Sequence, residues 1–181
     1  MKIICVVGMP GSGKTTAAKI LGEILGAPVV STGDVVRDEI KRRGLKYTPE
    51  TDEKISRWFH SGREDLIVRR LAKMLGPDVT VVEGLRSPEE VELLKKLTGA
   101  DIRILGILLG FRKRLERLKK RKRFESVTEE YLRKRDSREI SYGLDRLIKA
   151  ADFRIRNSGG LEDLRRKLEK LAPKLCPFRK L

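Results

Sequence analysis

The chain of 181 residues has no glutamine, one asparagine, one histidine and two cysteines. Each scarcity removes a class of function. With His60 alone, neither a histidine-rich structural zinc site nor a Ser-His-Asp triad is expected. Cys5 and Cys176 stand at opposite ends of the chain without metal-type spacing. Cys5 lies in an apolar run, where it reads as a small buried hydrophobe. Aromatics amount to one Trp, three Tyr and five Phe, and no base-stacking motif of the RNP1 kind occurs. No apolar run approaches the roughly 18 residues of a membrane span. The run Ile3-Ile4-Cys5-Val6-Val7 is too short for a secretion signal and ends in glycines, so a cytoplasmic protein without membrane contact is expected. Scarce amides beside 38% charged residues suggest adaptation to heat.

Acidic residues are also in deficit. There are 26 Asp and Glu against 42 Lys and Arg, a formal charge of +16, so the partners are anions. A 39% hydrophobic content with clear periodicity excludes a disordered basic tail. The length suits one domain over residues 1–181, large enough to need no disulfide staple. Strand patterns fall at 2–7, 28–30, 80–82, 102–109 and 153–155. Helical patterns fall at 14–25, 34–43, 50–60, 63–75, 88–97, 111–122 and 128–141. A last helix carries Leu161, Leu164, Leu168 and Leu171 and should stop before Pro173. Gly26 should close the first helix, and Ser87-Pro88-Glu89-Glu90 reads as a capping box. Buried strands alternating with helices imply an α/β fold with a parallel sheet covered on both faces.

The first strand runs into Gly8-Met9-Pro10-Gly11-Ser12-Gly13-Lys14-Thr15, which fits G-x-x-x-x-G-K-[ST] without a mismatch. Glycines let successive backbone N–H groups face phosphate oxygens, and the helix that follows adds its positive end. Lys14 would reach the β- and γ-phosphates and the Thr15 hydroxyl would bind Mg²⁺, with Gly8 to Thr16 holding ATP.

After the second strand stands Ser31-Thr32-Gly33-Asp34-Val35-Val36-Arg37, which resembles the segment by which adenylate kinases hold the acceptor nucleoside monophosphate. The resemblance implies acceptor contacts from Thr32, Gly33 and Arg37. An arginine fork suits a phosphate dianion. The plainer reading is a helix capped by Ser31 or Thr32 with Arg37 in water. Val79-Thr80-Val81-Val82-Glu83-Gly84-Leu85-Arg86 is an apolar strand ending in an acid, the Walker B pattern, which would place Glu83 behind the waters of Mg²⁺. It is similar to the Asp-Gly-x-x-Arg segment of nucleoside monophosphate kinases, with Glu for Asp and the arginine one residue early. Arg86 is then an acceptor-phosphate clamp.

Arginines crowd 112–123, where nine basic residues face one acid, and recur in Arg135-Asp136-Ser137-Arg138-Glu139. In adenylate kinases such arginines flank a lid that closes over the transferring phosphoryl group. That resemblance implies catalytic roles for Arg117, Arg121, Arg135 and Arg138 and a short lid at about 117–138. Arg117 with Arg121, and Arg135 with Arg138, are each one helical turn apart. Ala151-Asp152-Phe153-Arg154-Ile155-Arg156-Asn157-Ser158-Gly159-Gly160-Leu161 resembles the last strand and turn of dephospho-CoA kinases and adenylate kinases, whose backbone borders the donor adenine. Asn157 would then touch ATP; alternatively it only supplies a left-handed turn. In Trp58-Phe59-His60 the aromatics could pack on an acceptor base, but local core is the favoured reading.

In order and spacing these blocks resemble the archaeal adenylate-kinase-related P-loop family, also called dephospho-CoA-kinase-related. That implies a three-layer α/β/α sandwich with a five-stranded parallel sheet in the order 2-3-1-4-5 and an acceptor-binding part at about 32–76. It also implies ATP and Mg²⁺ as cofactors and a nucleoside monophosphate, AMP first, as acceptor. A phosphate acceptor needs no general base. The alternative is a hydroxyl acceptor such as dephospho-CoA, for which a base is required and Asp34 is the candidate. A third reading is a nucleotide-sensing or nucleic-acid-binding module, whose basic C-terminus holds seven basic residues and one acid in 165–181.

Overall fold

In the computed structural model, which describes residues 1–120 and 127–177, the strand β1 (Lys2–Val7) leads through the glycine-rich loop into α1 (Lys14–Leu25). Then follow β2 (Val29–Ser31), α2 (Thr32–Arg42), α3 (Pro49–Phe59), α4 (Glu64–Ala72), β3 (Val79–Glu83) and α5 (Pro88–Thr98). The second half runs β4 (Asp101–Leu108), α6 (Phe111–Lys120), α7 (Glu129–Ser141), α8 (Leu144–Lys149), β5 (Phe153–Arg156) and α9 (Leu161–Leu175).

The five strands form one parallel sheet in the order β2-β3-β1-β4-β5. The period-two pattern of β1 shows why both faces are covered. Ile3, Cys5 and Val7 join a core built with α2, α3, α4, α5 and α8, whereas Ile4 and Val6 join a core built with α1 and α9. Burial pushes the Cys5 thiol up to about 12, so it stays protonated and inert. A smaller cluster of Leu118, Val127 and Leu132 packs α6 against α7. Among the described residues no helix is long and apolar enough to cross a membrane.

The first helix ends at Gly26 in the left-handed conformation, as its sequence requires. Two expectations need correction, and one helix was not foreseen. The last helix does not stop before Pro173 but runs through it to Leu175, because Leu164, Leu168, Ala172 and Leu175 continue one buried stripe. Packing that stripe outweighs one lost main-chain bond. The Ser87 hydroxyl caps α5 through the Glu90 N–H, but the Glu90 carboxylate accepts from the Arg86 N–H rather than from that of Ser87. Helix α8 escapes the sequence pattern: it is six residues long and its N-cap is Gly143, without a capping side chain.

Candidate functional site

The glycine-rich loop is gripped from outside by side chains that donate to its carbonyls. Arg114 Nη1 donates to the Pro10 carbonyl at 3.0 Å, and Asn157 Nδ2 and Arg117 Nη1 donate to the Ser12 carbonyl at 2.8 and 3.4 Å. In a planar trans peptide the next N–H points opposite to the carbonyl. Fixing Pro10 and Ser12 outward therefore turns the Gly11 and Gly13 amides inward, toward the phosphate cradle. Gly13 has φ 93°, and a Cβ there would stand 2.3 Å from Asn157 Nδ2, so only glycine fits. The Ser12 hydroxyl inside the loop is buried without a hydrogen-bond partner.

Beside the loop Thr15 Oγ1 donates to Glu83 Oε1 at 3.0 Å. The second oxygen, Oε2 of Glu83, is buried and unpartnered. An orphaned carboxylate oxygen next to a hydroxyl is a donor set that a hard cation with its waters completes, so these residues fit Mg²⁺. Lys14 lies half-buried among Glu83, Glu139, Arg135 and Arg86. Burial lowers its pKa below the ordinary lysine range, the two carboxylates oppose that, and the two arginines add to it.

Glu139 is the buried centre of this cluster, with Arg86 Nε donating to it at 2.8 Å. Burial alone would raise its pKa; Arg86, Lys14 and Arg135 outweigh that and hold the carboxyl at about 2. Arg135 forms no ion pair with an acid among the described residues, and its Nε is buried and unpartnered. It is a cation held in place beside Lys14 with hydrogen-bonding capacity to spare. Arg86 is therefore no surface residue: its Nη1 also meets His60 Nε2 at 3.1 Å. His60 Nδ1 faces the Ser56 carbonyl at 2.8 Å, and its Nε2 lies between Arg86 Nη1 and Glu90 Oε1, the latter at 3.4 Å.

On α2, the hydroxyl of Ser31 caps the helix, and Asp34 returns the bond by accepting from the Ser31 N–H at 2.8 Å. Arg37 Nη2 donates to the other oxygen of Asp34 and lies over Gly33. Partial burial would raise the Asp34 pKa, but the bonds from Ser31 and Arg37 hold it below the usual carboxylate range. Thr32, expected to touch an acceptor, donates to the Gly84 carbonyl at 3.0 Å. Gly84 has φ 95°, and a Cβ there would meet Thr32 Oγ1 at 2.3 Å, so this tie between the start of α2 and the turn after β3 needs the glycine.

The described lid arginines, Arg117, Arg135 and Arg138, do not converge. Arg117 Nη2 donates to the carbonyls of Asn157 and Gly159 at 2.8 and 3.2 Å. It walls a notch of about 230 Å³ with Gly13, Thr16, Asn157, Gly160 and Leu161. Arg138 leaves the cluster and pairs with Glu53 on α3. Arg121, and residues 178–181 of the basic C-terminus, lie outside the described residues. The left-handed turn expected over Asn157-Ser158-Gly159-Gly160 is overturned: among the described residues only glycines have positive φ, Gly159 and Gly160 are not among them, and the Asn157 side chain pins the P-loop instead. Phe59 is core as favoured, while Trp58 is half-buried, stacked by Arg43 at 4.1 Å and Arg63 at 4.9 Å.

Sequence reasoning missed Arg114, His60 and Glu139. The Arg114 guanidinium forms a two-pronged pair with Asp136 at 2.9 and 2.6 Å and ties α6, α7 and the P-loop together. Its only advance signal was an arginine in an apolar register of a basic helix.

A family model described as AAA domain matches residues 7–141. A UPF0200/UPF0201 protein of Archaeoglobus fulgidus is 42% identical over 185 residues; the match covers 97% of this chain and 56% of that protein. A UPF0200 protein of Aeropyrum pernix is 41% identical over 167 residues, covering 90% and 87%. Among solved structures, shikimate kinase from Acinetobacter baumannii in complex with shikimate superposes with a TM-score of 0.67 at 19% identity, covering 100% and 96%. That likeness establishes the fold, an α/β sandwich around a parallel sheet.

Proposed function

We propose, on the premise that the chain belongs to the AAA domain family and to the UPF0200 proteins, that it transfers the γ-phosphoryl group of ATP to a nucleoside monophosphate, with AMP the favoured acceptor. The reading treats residues 1–181 as one cytoplasmic kinase domain with an acceptor part at about 32–76 and a short lid at about 117–138. The observation that carries it is the set of cations around Glu139, with Lys14, Arg86 and Arg135 brought together; the carboxylate oxygen left free beside them, Oε2 of Glu83, is the one that Mg²⁺ with its waters would take. A loose phosphoryl transition state asks for positioned positive charge, and a phosphate acceptor needs no proton removed. Thr15 and Glu83 would hold Mg²⁺, which supplies charge neutralisation at the β- and γ-phosphates. The notch at Arg117 and Gly159 would take the adenine, and Arg37 and Arg86 would exchange their carboxylates for the acceptor phosphate.

A hydroxyl acceptor is the second reading, favoured by the likeness to shikimate kinase. Against it stands Asp34, whose carboxylate is held ionised by Ser31 and Arg37 and is a weak base there. ADP formation from ATP and Mg²⁺ should be measured with each nucleoside monophosphate and with dephospho-CoA. Turnover with AMP, lost roughly 10²–10³-fold in Lys14→Ala, is the expected result. No turnover with any monophosphate, and no AMP binding, overturns the proposal.

A further inference from the structure

A second cavity, of about 890 Å³, opens at the C-terminal ends of β4 and β5 and is separate from every residue assigned above except Met9. The segment leaving β5 divides it from the adenine notch. Asn157 and Gly159 line the notch, whereas Arg156 and Ser158 line the larger cavity, as side chains of extended backbone alternate between two sides. Helix α6 divides the two in the same way: Arg117 faces the notch, and Phe111 with Arg112 faces the cavity. On α7, Glu139 turns to Arg86 while its neighbour Ile140 lines the cavity. The cavity is thus a third compartment, which shares only Met9 with the residues given to ATP.

Its chemistry is unlike theirs. The walls are apolar, from Met9, Ile107, Leu109, Phe111 and Ile148. Ile140, 46% exposed on an otherwise charged helix, extends that surface to the mouth. The rim is cationic: Arg112, Lys113, Lys149 and Arg156 against the single acid Asp145. Lys149 is paired with Asp145, but Arg112 and Arg156 are exposed and have no carboxylate partner among the described residues. A concave apolar site of several hundred Å³ with a few convergent polar groups is the usual form of a small-molecule pocket. Apolar walls reward an acyl or aromatic body, and two unpaired arginines at the mouth reward an anionic head. The sugar hydroxyls and base edges of a nucleotide would find few hydrogen-bond partners on these apolar walls.

We propose that this cavity is a second ligand site, for a small amphipathic anion with an acyl or aromatic body and one carboxylate, sulfonate or phosphate head. The test uses anilinonaphthalene sulfonate as a fluorescent probe on the full chain, with decanoate, decanol, inorganic phosphate and Mg-ATP as competitors. Saturable probe fluorescence, displaced by decanoate but not by decanol at equal concentration, by phosphate or by Mg-ATP, is expected. Ile140→Asp, which charges the exposed part of the wall without touching the core, should weaken decanoate roughly tenfold. The double variant Arg112→Glu/Arg156→Glu should weaken it by a similar factor, with the melting temperature of both variants unchanged. Absence of probe binding, displacement by Mg-ATP or by phosphate alone, equal displacement by decanol, or unchanged affinity in either variant overturns the proposal.

Discussion

On the side of the cleft formed by α6 and β5, Arg117 and Asn157 aim at main-chain carbonyls of the P-loop and of the turn after β5, and Arg114 adds the Pro10 carbonyl to its pair with Asp136. On the side formed by α2, α3, α4 and α7, the arginines aim at carboxylates: Arg37 at Asp34, Arg86 at Glu139, Arg138 at Glu53, Arg70 at Glu39. A carbonyl keeps its partner at any pH and is a poor competitor for a dianion's place. A carboxylate can be protonated, and a phosphate group can take over its arginine. The first arrangement builds a fixed cradle, and the second holds cations ready for exchange.

Four measurements would break or sharpen that contrast. Glu139→Gln removes the counter-ion from Arg86, Arg135 and Lys14 while burying their charge, and should cost about 3–5 kcal/mol in urea unfolding. If the loss is under about 1 kcal/mol, the cluster is not the centre of that side. Acid should act on the same side. The Glu139 carboxyl sits at about 2 in the folded protein against 4.5 ordinarily, so its contribution is complete above about pH 4.5 and is lost as pH falls toward 2. Stability in that window should fall in the wild type and fall less steeply in Glu139→Gln. Asn157→Ala should cost about 1–3 kcal/mol, because the buried Ser12 carbonyl loses a donor, and should leave the acid slope unchanged. The smallest effect belongs to Asp34→Asn, about 1 kcal/mol from the weakened cap. With AMP as acceptor its KM should rise several-fold with little change in kcat; a collapse of kcat would make Asp34 a base and favour the hydroxyl acceptor.

What could be read in advance divides along physical lines. β1 and α1 were legible to the residue because their signals are local: an apolar run, a glycine loop and Gly26. The sheet order followed from the resemblance carried by those motifs, and the structure agrees with it. Partners of long side chains were not legible. Arg135 and Arg138 lie one turn apart on α7, yet one stays beside Lys14 and the other reaches α3. Arg114 and Asp136 are 22 residues apart, and nothing local announces that they meet. The same holds for Pro173, whose helix continues because α1 lies beneath it.

Asn157 has a consequence for how the molecule ages. Asparagine is the residue that heat converts, by loss of ammonia from its side chain, to aspartate. A chain of 181 residues that holds a single amide side chain has one place where that chemistry can begin. Here the amide is 4% exposed and bonded to the Ser12 carbonyl, which keeps both water and the neighbouring backbone from attacking it. Were it converted, the donor would become a carboxylate facing a carbonyl at 2.8 Å, and the P-loop would open at Gly13. Ageing of that one amide would therefore remove the shorter of the two side-chain grips on the Ser12 carbonyl.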